Sequence, residues 1–203
     1  PDRDRQAYGL LQHDMVERFL LYFFTQSAHA ATRGTWTTPE STHIDRDATG
    51  WPYASPGQAN VPMALKWMLC FEEPEARTLW LGKATPREWL AAGSRPIDAQ
   101  RVSTRYGRVG VRFEALVARD GVFVVRVNVT LPPSFAAAPP AGGLRVRVRT
   151  PLAYAGKLSG VSVGGKAWAS FSAAEETVDV AADEGEADEG EGKQAKQIEE
   201  QAK

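Results

Sequence analysis

Up to Pro74 the apolar residues of this chain recur at three- and four-residue spacing, and after Pro74 they alternate. That switch constrains the fold more than any other feature of the sequence. A repeat near 3.6 residues belongs to helices that bury one stripe, and a repeat of 2 belongs to strands that bury one face. The switch predicts an α+β chain whose helices come first and whose strands follow.

In the helical part, Leu11, Met15, Phe19, Tyr22 and Phe23 share one stripe, with Gln12, Asp14, Glu17 and Arg18 between them. This spacing predicts one helix over 6–30. From Phe19 onward both of its faces are apolar (FLLYFF, 19–24), the pattern of a helix that expects neighbours on all sides. The chain opens on Pro1 without a signal-like segment. The expectation is therefore that further sequence precedes it and that this upstream part is its first partner. Without that partner, Leu20, Leu21, Phe23 and Phe24 are expected to form an exposed apolar patch. A second helix is predicted over 59–71, since Val61, Leu65, Met68 and Leu69 form a stripe and Pro62 falls in a first turn, where proline is tolerated. Cys70 falls on this helix beside Phe71 and reads as a small buried hydrophobe.

The strand part is expected over 76–181 as a mostly antiparallel sandwich. Its strands fall near 78–81, 110–115, 122–131, 144–148, 158–163 and 177–180, short β-branched or aromatic runs divided by Gly and Pro. TPREWL (85–90) reads as a one-turn helix with Thr85 as N-cap, Pro86 at its first position and Glu88 closing a capping box, and Trp89 as a plug for one sheet end. Arg145, Arg147 and Arg149 alternate with Val146 and Val148 and predict a solvated arginine face. From 181 onward the composition falls to Glu, Asp, Gly, Ala, Lys and Gln with a single Ile, which predicts a disordered tail or a frayed surface helix. The resulting plan is 1–74 helical, 75–181 sandwich and 182–203 acidic tail.

Residues 173–203 hold 11 of the chain's 25 acidic residues and 3 of its 24 basic ones, leaving 21 basic against 14 acidic upstream. The upstream arginines are scattered, so the charge asymmetry does not point to nucleic acid. The longest apolar run is far short of the roughly 20 residues that span a bilayer, which argues against a membrane helix. One cysteine excludes an intramolecular disulfide. Neither feature assigns a compartment. Phosphate loops, CxxC pairs and HExxH are absent from the sequence, and nothing in it asks for a cofactor.

Five segments in order carry a resemblance: RGTWTTPESTHIDRD (33–47), VPMALKWMLCFEEP (61–74), LWLGKATPREWL (79–90), TRYGRVGVRFEA (104–115) and GVSVGGKAW (160–168). Together they resemble bacterial six-hairpin glycosidase-like proteins, similar in layout to the α-L-rhamnosidase-like glycoside hydrolases. The resemblance covers about 6–181. It implies the terminal helical hairpin of an (α/α)6 toroid, an accessory β-sandwich and a carbohydrate substrate, with most of the catalytic domain upstream.

The chemistry is expected in the long loop between the two helices, which gathers Trp36, Glu40, His43, Asp45, Asp47, Trp51 and Tyr53. Aromatic faces cover the C–H faces of a pyranose, and carboxylates supply the acid and base of glycosyl transfer. The resemblance implies that Glu40 is the general base that activates water, and Trp36, His43, Asp45, Trp51 and Tyr53 are then the sugar contacts. Each has a plainer reading. Glu40 can pair with Arg33 or Arg46, Trp36 can pack on the second helix, and His43 can hold a structural hydrogen bond. Asp45, Asp47, Thr49 and Gly50 copy the first half of a calcium loop, but Pro56 stands where its bidentate Glu belongs, so no metal is expected. The rival to a hydrolase role is a carbohydrate-binding or structural sandwich, and binding by the sandwich would need exposed aromatics on one of its faces.

Overall fold

A computed structural model gives the fold of residues 3–29, 31–32, 37–39, 41–42, 48–49, 55–117, 122–180 and 194–202. The chain divides into a helical unit, Pro1–Met68, and a strand unit, Leu69–Lys203. The division precedes Pro74 because a strand begins directly after the last turn of helix.

The helical unit holds α1 (Arg3–Gln12), α2 (Val16–His29), the short antiparallel pair β1 (Ser41–Thr42) and β2 (Ala48–Thr49), and α3, which spans Ser55–Leu69. The single helix expected over 6–30 is two. Asp14 takes φ 55°, its N–H bonds the Leu11 carbonyl at 3.1 Å and the Met15 N–H bonds the Leu10 carbonyl at 2.7 Å. This paired closure ends a helix on a left-handed residue, and a stripe of apolar positions does not reveal it. Ala7, Leu11, Val16, Phe19 and Phe23 are buried. Tyr8 meets Trp67 edge to face at 5.3 Å, which ties α1 to α3. Of the expected apolar patch, Leu21 (71% exposed) and Phe24 (47%) face solvent, whereas Phe23 is buried and Leu20 half-buried. No helix among the described residues is long and apolar enough to cross a membrane.

The strand unit is a two-sheet sandwich. Its strands are β3 (Cys70–Glu72), β4 (Leu79–Leu81), β5 (Ile97–Thr104), β6 (Gly107–Val117), β7 (Phe123–Leu131), β8 (Leu144–Arg147), β9 (Leu158–Val163), β10 (Lys166–Ala167), β11 (Phe171–Ser172), β12 (Thr177–Val180) and β13 (Gln194–Ala202), with a one-turn helix α4 (Ser134–Ala137) after β7. One sheet runs β10-β9-β13-β7-β6-β5, antiparallel throughout; the other runs β11-β12-β8-β4-β3, with β4 and β8 parallel. Val109, Val111 and Phe113 of β6 and Phe123, Val125, Val127, Val129 and Leu131 of β7 meet Cys70, Leu79, Leu81, Leu144, Val146, Val178 and Val180 of the other sheet in one core.

Several expectations change here. Cys70 lies on β3 rather than on a helix, since β3 pairs Cys70 with Leu81; it is buried all the same. β5 escaped the sequence reading because IDAQRVST has no clean alternation, and its register shifts between Ala99 and Val102. Around 85–90 the capping box does not form. The turn is a 3₁₀ helix, Arg87–Leu90, without a side-chain cap; the Thr85 hydroxyl donates back to the Gly82 carbonyl at 3.1 Å, and Leu90 rather than Trp89 enters the core. The last nine described residues, expected to be tail, form β13 between β7 and β9. Backbone pairing along its whole length, with Ile198 fully buried, outweighs its polar composition.

The arginine face is not solvated. Arg147 and Arg149 are buried, and the Arg149 guanidinium donates to the Thr85 carbonyl at 3.0 Å. Arg145 pairs with Asp179 across β8 and β12. Lys83 Nζ stands 3.7 Å from the centroid of the Trp80 ring, with the Arg147 and Arg145 guanidinium carbons at 4.8 and 5.0 Å. The indole holds Lys83 together with two arginines, Arg145 and Arg147, that sequence alternation alone would place in water.

A second charged group pins the sheet ends. Glu176, buried, accepts from Arg87 through two nitrogens at 3.0 and 2.7 Å and from the Thr150 N–H and hydroxyl at 3.1 and 2.6 Å. Arg87 also donates to the Thr150 carbonyl at 2.6 Å. One carboxylate thus joins the 3₁₀ turn, the exit of β8 and the β11–β12 turn. Removing it strands a shielded guanidinium, so Glu176→Ala should lower the unfolding free energy by about 3–5 kcal/mol. Arg87→Met together with Glu176→Leu should lose less than the two single changes added, as measured by urea titration.

Candidate functional site

The six site residues expected from the sequence, Trp36, Glu40, His43, Asp45, Trp51 and Tyr53, lie outside the described residues, as does Asp47. The backbone that brackets them is described. Thr32 and Thr37 close one end of the loop: the Thr32 N–H donates to the Thr37 carbonyl at 2.8 Å, the Thr32 hydroxyl reaches the same carbonyl at 2.7 Å, and the two hydroxyls share a bond at 2.8 Å. The segment holding Trp36 is thereby tied at both sides. β1 and β2 pair Ser41 with Thr49 and Thr42 with Ala48, on either side of His43 and Asp45 in sequence. Gly57, in the first turns of α3, faces Thr38 so closely that an added Cβ would come within 2.5 Å of Thr38 Cγ2. Glycine lets the loop base seat on α3.

Directly beside this closure is a cavity of about 280 Å³, lined by Gln26 and Ser27 from the end of α2, Ala31 and Thr38 from the loop, and Gly57, Gln58, Asn60 and Val61 from α3. It lies at the small end of ligand pockets, which run roughly 300–1,000 Å³. Its described lining carries amides, hydroxyls and short apolar surfaces, and no ionisable side chain. Gln58 Nε2 reaches the Thr38 carbonyl at 3.5 Å, a long contact that leaves most of that amide's capacity for something else.

Two of the lining residues carry a buried polar atom. Ser27 Oγ and Asn60 Oδ1 have no hydrogen-bond partner among the described residues. Leaving such a group unpaired costs about 1–3 kcal/mol, and buried polar atoms otherwise find partners almost without exception. A serine in a helix ordinarily turns its hydroxyl to a carbonyl one turn back; Ser27 does not. The Asn60 carbonyl oxygen can only accept, while the Ser27 hydroxyl can donate and accept. The amides and hydroxyls of the lining as a whole suit a hydroxylated neutral ligand, whose hydroxyls each offer one donor and free lone pairs.

Catalysis by proton transfer needs a titrating group within reach of the substrate, and the described lining has none. A catalytic role for this cavity would therefore need a titrating group from outside its described lining. Ser27 and Asn60 were not singled out from the sequence. The sequence carries no signal for them: Ser27 follows Thr25 and Gln26 near the end of α2, and Asn60 follows Gln58 in the first turns of α3.

The unpaired atoms make a direct prediction for the unliganded chain. Asn60→Leu keeps the volume and removes the orphan acceptor, so it should raise the unfolding free energy by about 1–2 kcal/mol in urea titration. A loss of stability would mean that Asn60 Oδ1 already has a partner. No family model, curated protein or solved structure matches this chain, so its functional reading rests on the chemistry of the cavity and on the loop beside it.

Proposed function

We propose that the chain serves a carbohydrate-active, glycoside hydrolase-like protein. In this reading α1 to α3 belong to an (α/α)6 toroid, the cavity between α2, α3 and the loop holds a neutral sugar, and the sandwich is an accessory domain. The observation that carries the proposal is a cavity lined by the amides and hydroxyls of Gln26, Ser27, Thr38, Gln58 and Asn60, without described charge. Sugars present hydroxyls that suit such a lining and carry no charge that would need a counter-ion. The segment between α2 and α3 supplies in sequence the aromatics and carboxylates that glycosyl transfer uses.

The rival reading, sugar binding by the sandwich itself, has less support. Trp80 is buried, Trp168 is half-buried with its indole N–H donating to the Asp179 carbonyl at 2.9 Å, and Trp89 is half-buried. Among the described residues of the sandwich, the one large apolar side chain well exposed is Leu152. A flat aromatic platform for a pyranose ring is not available on those residues.

Saturation-transfer NMR of the full chain with a panel of neutral hexoses and 6-deoxyhexoses tests the proposal. At least one sugar should bind, and Asn60→Leu should weaken it about tenfold, the equivalent of one hydrogen bond. Binding to none, or binding unchanged by Asn60→Leu, would remove the cavity from consideration. Glu40 is tested separately. In a protein that carries this chain and hydrolyses a glycoside, Glu40→Gln should lower turnover by roughly 10²–10⁴ with ground-state binding little changed. Near-normal turnover would leave Glu40 a turn residue.

A further inference from the structure

β13 fits its place in the sheet by backbone pairing far better than by composition. It runs antiparallel to β7 and to β9 and pairs Gln194 with Leu131, Lys196 with Val129, Ile198 with Val127, Glu200 with Val125 and Ala202 with Phe123. Toward β9 it pairs Ile198 with Val163, Glu200 with Val161 and Ala202 with Leu158. Every partner in those two series is a buried member of the core cluster. Directly opposed residues belong to the same sheet face. β13 therefore places Gln194, Lys196, Ile198, Glu200 and Ala202 at register positions opposite Leu131, Val129, Val127, Val125 and Phe123 of β7, the last three of them also opposite Val163, Val161 and Leu158 of β9. Ile198 belongs to the core cluster, and Glu200 is in register with two core valines, Val125 and Val161.

The composition adds a second mismatch. Gln, Ala, Lys and Glu favour helix and are poor in strands, and QAKQIEEQA contains one β-branched residue. On the other register series, Glu199 forms an ion pair with Arg126 at 3.0 Å, a half-exposed contact of small value. The main-chain hydrogen bonds of β13 along β7 and β9 are ones that any extended strand can supply equally.

We infer that the slot between β7 and β9 is a strand-acceptor site, with β13 as its resident and replaceable occupant. The partner it fits is an extended segment of another polypeptide, running antiparallel to β7, with apolar β-branched residues at alternate positions opposite Leu131, Val129, Val127, Val125 and Phe123. A second copy of this chain is a poor candidate, because its own 194–202 segment carries the same Lys and Glu. The mode is strand addition, in which backbone bonds supply affinity and alternate side chains supply selectivity. Tethering gives β13 an effective concentration of roughly millimolar, so an incoming strand must fit better in order to displace it.

Hydrogen exchange on the full chain, followed by mass spectrometry, tests this. The probes are two synthetic peptides of residues 194–202, one unchanged and one carrying Lys196→Val and Glu200→Val, each at about millimolar concentration to match the tether. The substituted peptide should speed exchange of the chain's own 194–202 amides about tenfold or more while 123–131 stay protected. The unchanged peptide should do so at least about tenfold less effectively. Equal action by both peptides, or native 194–202 amides that stay as protected as 123–131 with either peptide, would overturn the proposal. As an internal check, the full chain carrying Lys196→Val and Glu200→Val should slow exchange of its own β13 about tenfold; unchanged or faster exchange there, with 123–131 still protected, would count against it.

Discussion

The strand unit depends on one row of side chains, Phe123, Val125, Val127, Val129 and Leu131, buried along the whole of β7. β7 pairs with β6 along one edge and β13 along the other, and its inner row meets the valines and leucines of the second sheet. Period 2 fixes its register absolutely, because a slip of one residue would turn Val124, Arg126, Asn128 and Thr130 inward. The neighbouring strands inherit their faces from this row. That dependence is also why the mismatch of β13 is informative: its register is imposed on it by β7, and its own residues do little to specify it.

Charge in the strand unit is handled by enclosure more than by exposure. Glu176 gathers Arg87 and two groups of Thr150, and Trp80 stands among Lys83, Arg145 and Arg147. The Glu176 network joins the 3₁₀ turn, the exit of β8 and the β11–β12 turn, segments far apart in sequence, and holds them together beside one sheet. A shielded ion pair adds little net stability against an apolar replacement, yet it punishes any arrangement that separates its members. Its effect is therefore to favour one packing of the turns over others of similar burial.

How much of this was readable in sequence follows from what periodicity encodes. The strands with clean alternation, at 122–131, 158–163 and 177–180, are found within a residue of expectation. β5 and β13 lack that alternation, and they become strands through pairing with partners distant in sequence. The break at Asp14 depends on one left-handed residue inside an unbroken apolar stripe, and a stripe carries no information about φ. Arg147 and Arg149 were placed in water because alternation says which face a residue takes but not what covers that face. The loop candidates from Trp36 to Tyr53 were chosen by residue chemistry, and they fall beyond the described residues. Ser27 and Asn60, by contrast, matter through the absence of a partner, a property that emerges only after the chain has folded.

The cavity shows what such absences imply. A helix end and a helix start that meet around a loop could close tightly if Ser27 and Asn60 were alanine and leucine, and the chain would gain stability by avoiding two orphan atoms. Retaining them keeps uncharged polar side chains in the lining of that space. Such a lining offers hydrogen bonds without a counter-charge, so it favours neutral polar groups over ions. The close seat of Gly57 on Thr38 fixes one wall of that space without filling it.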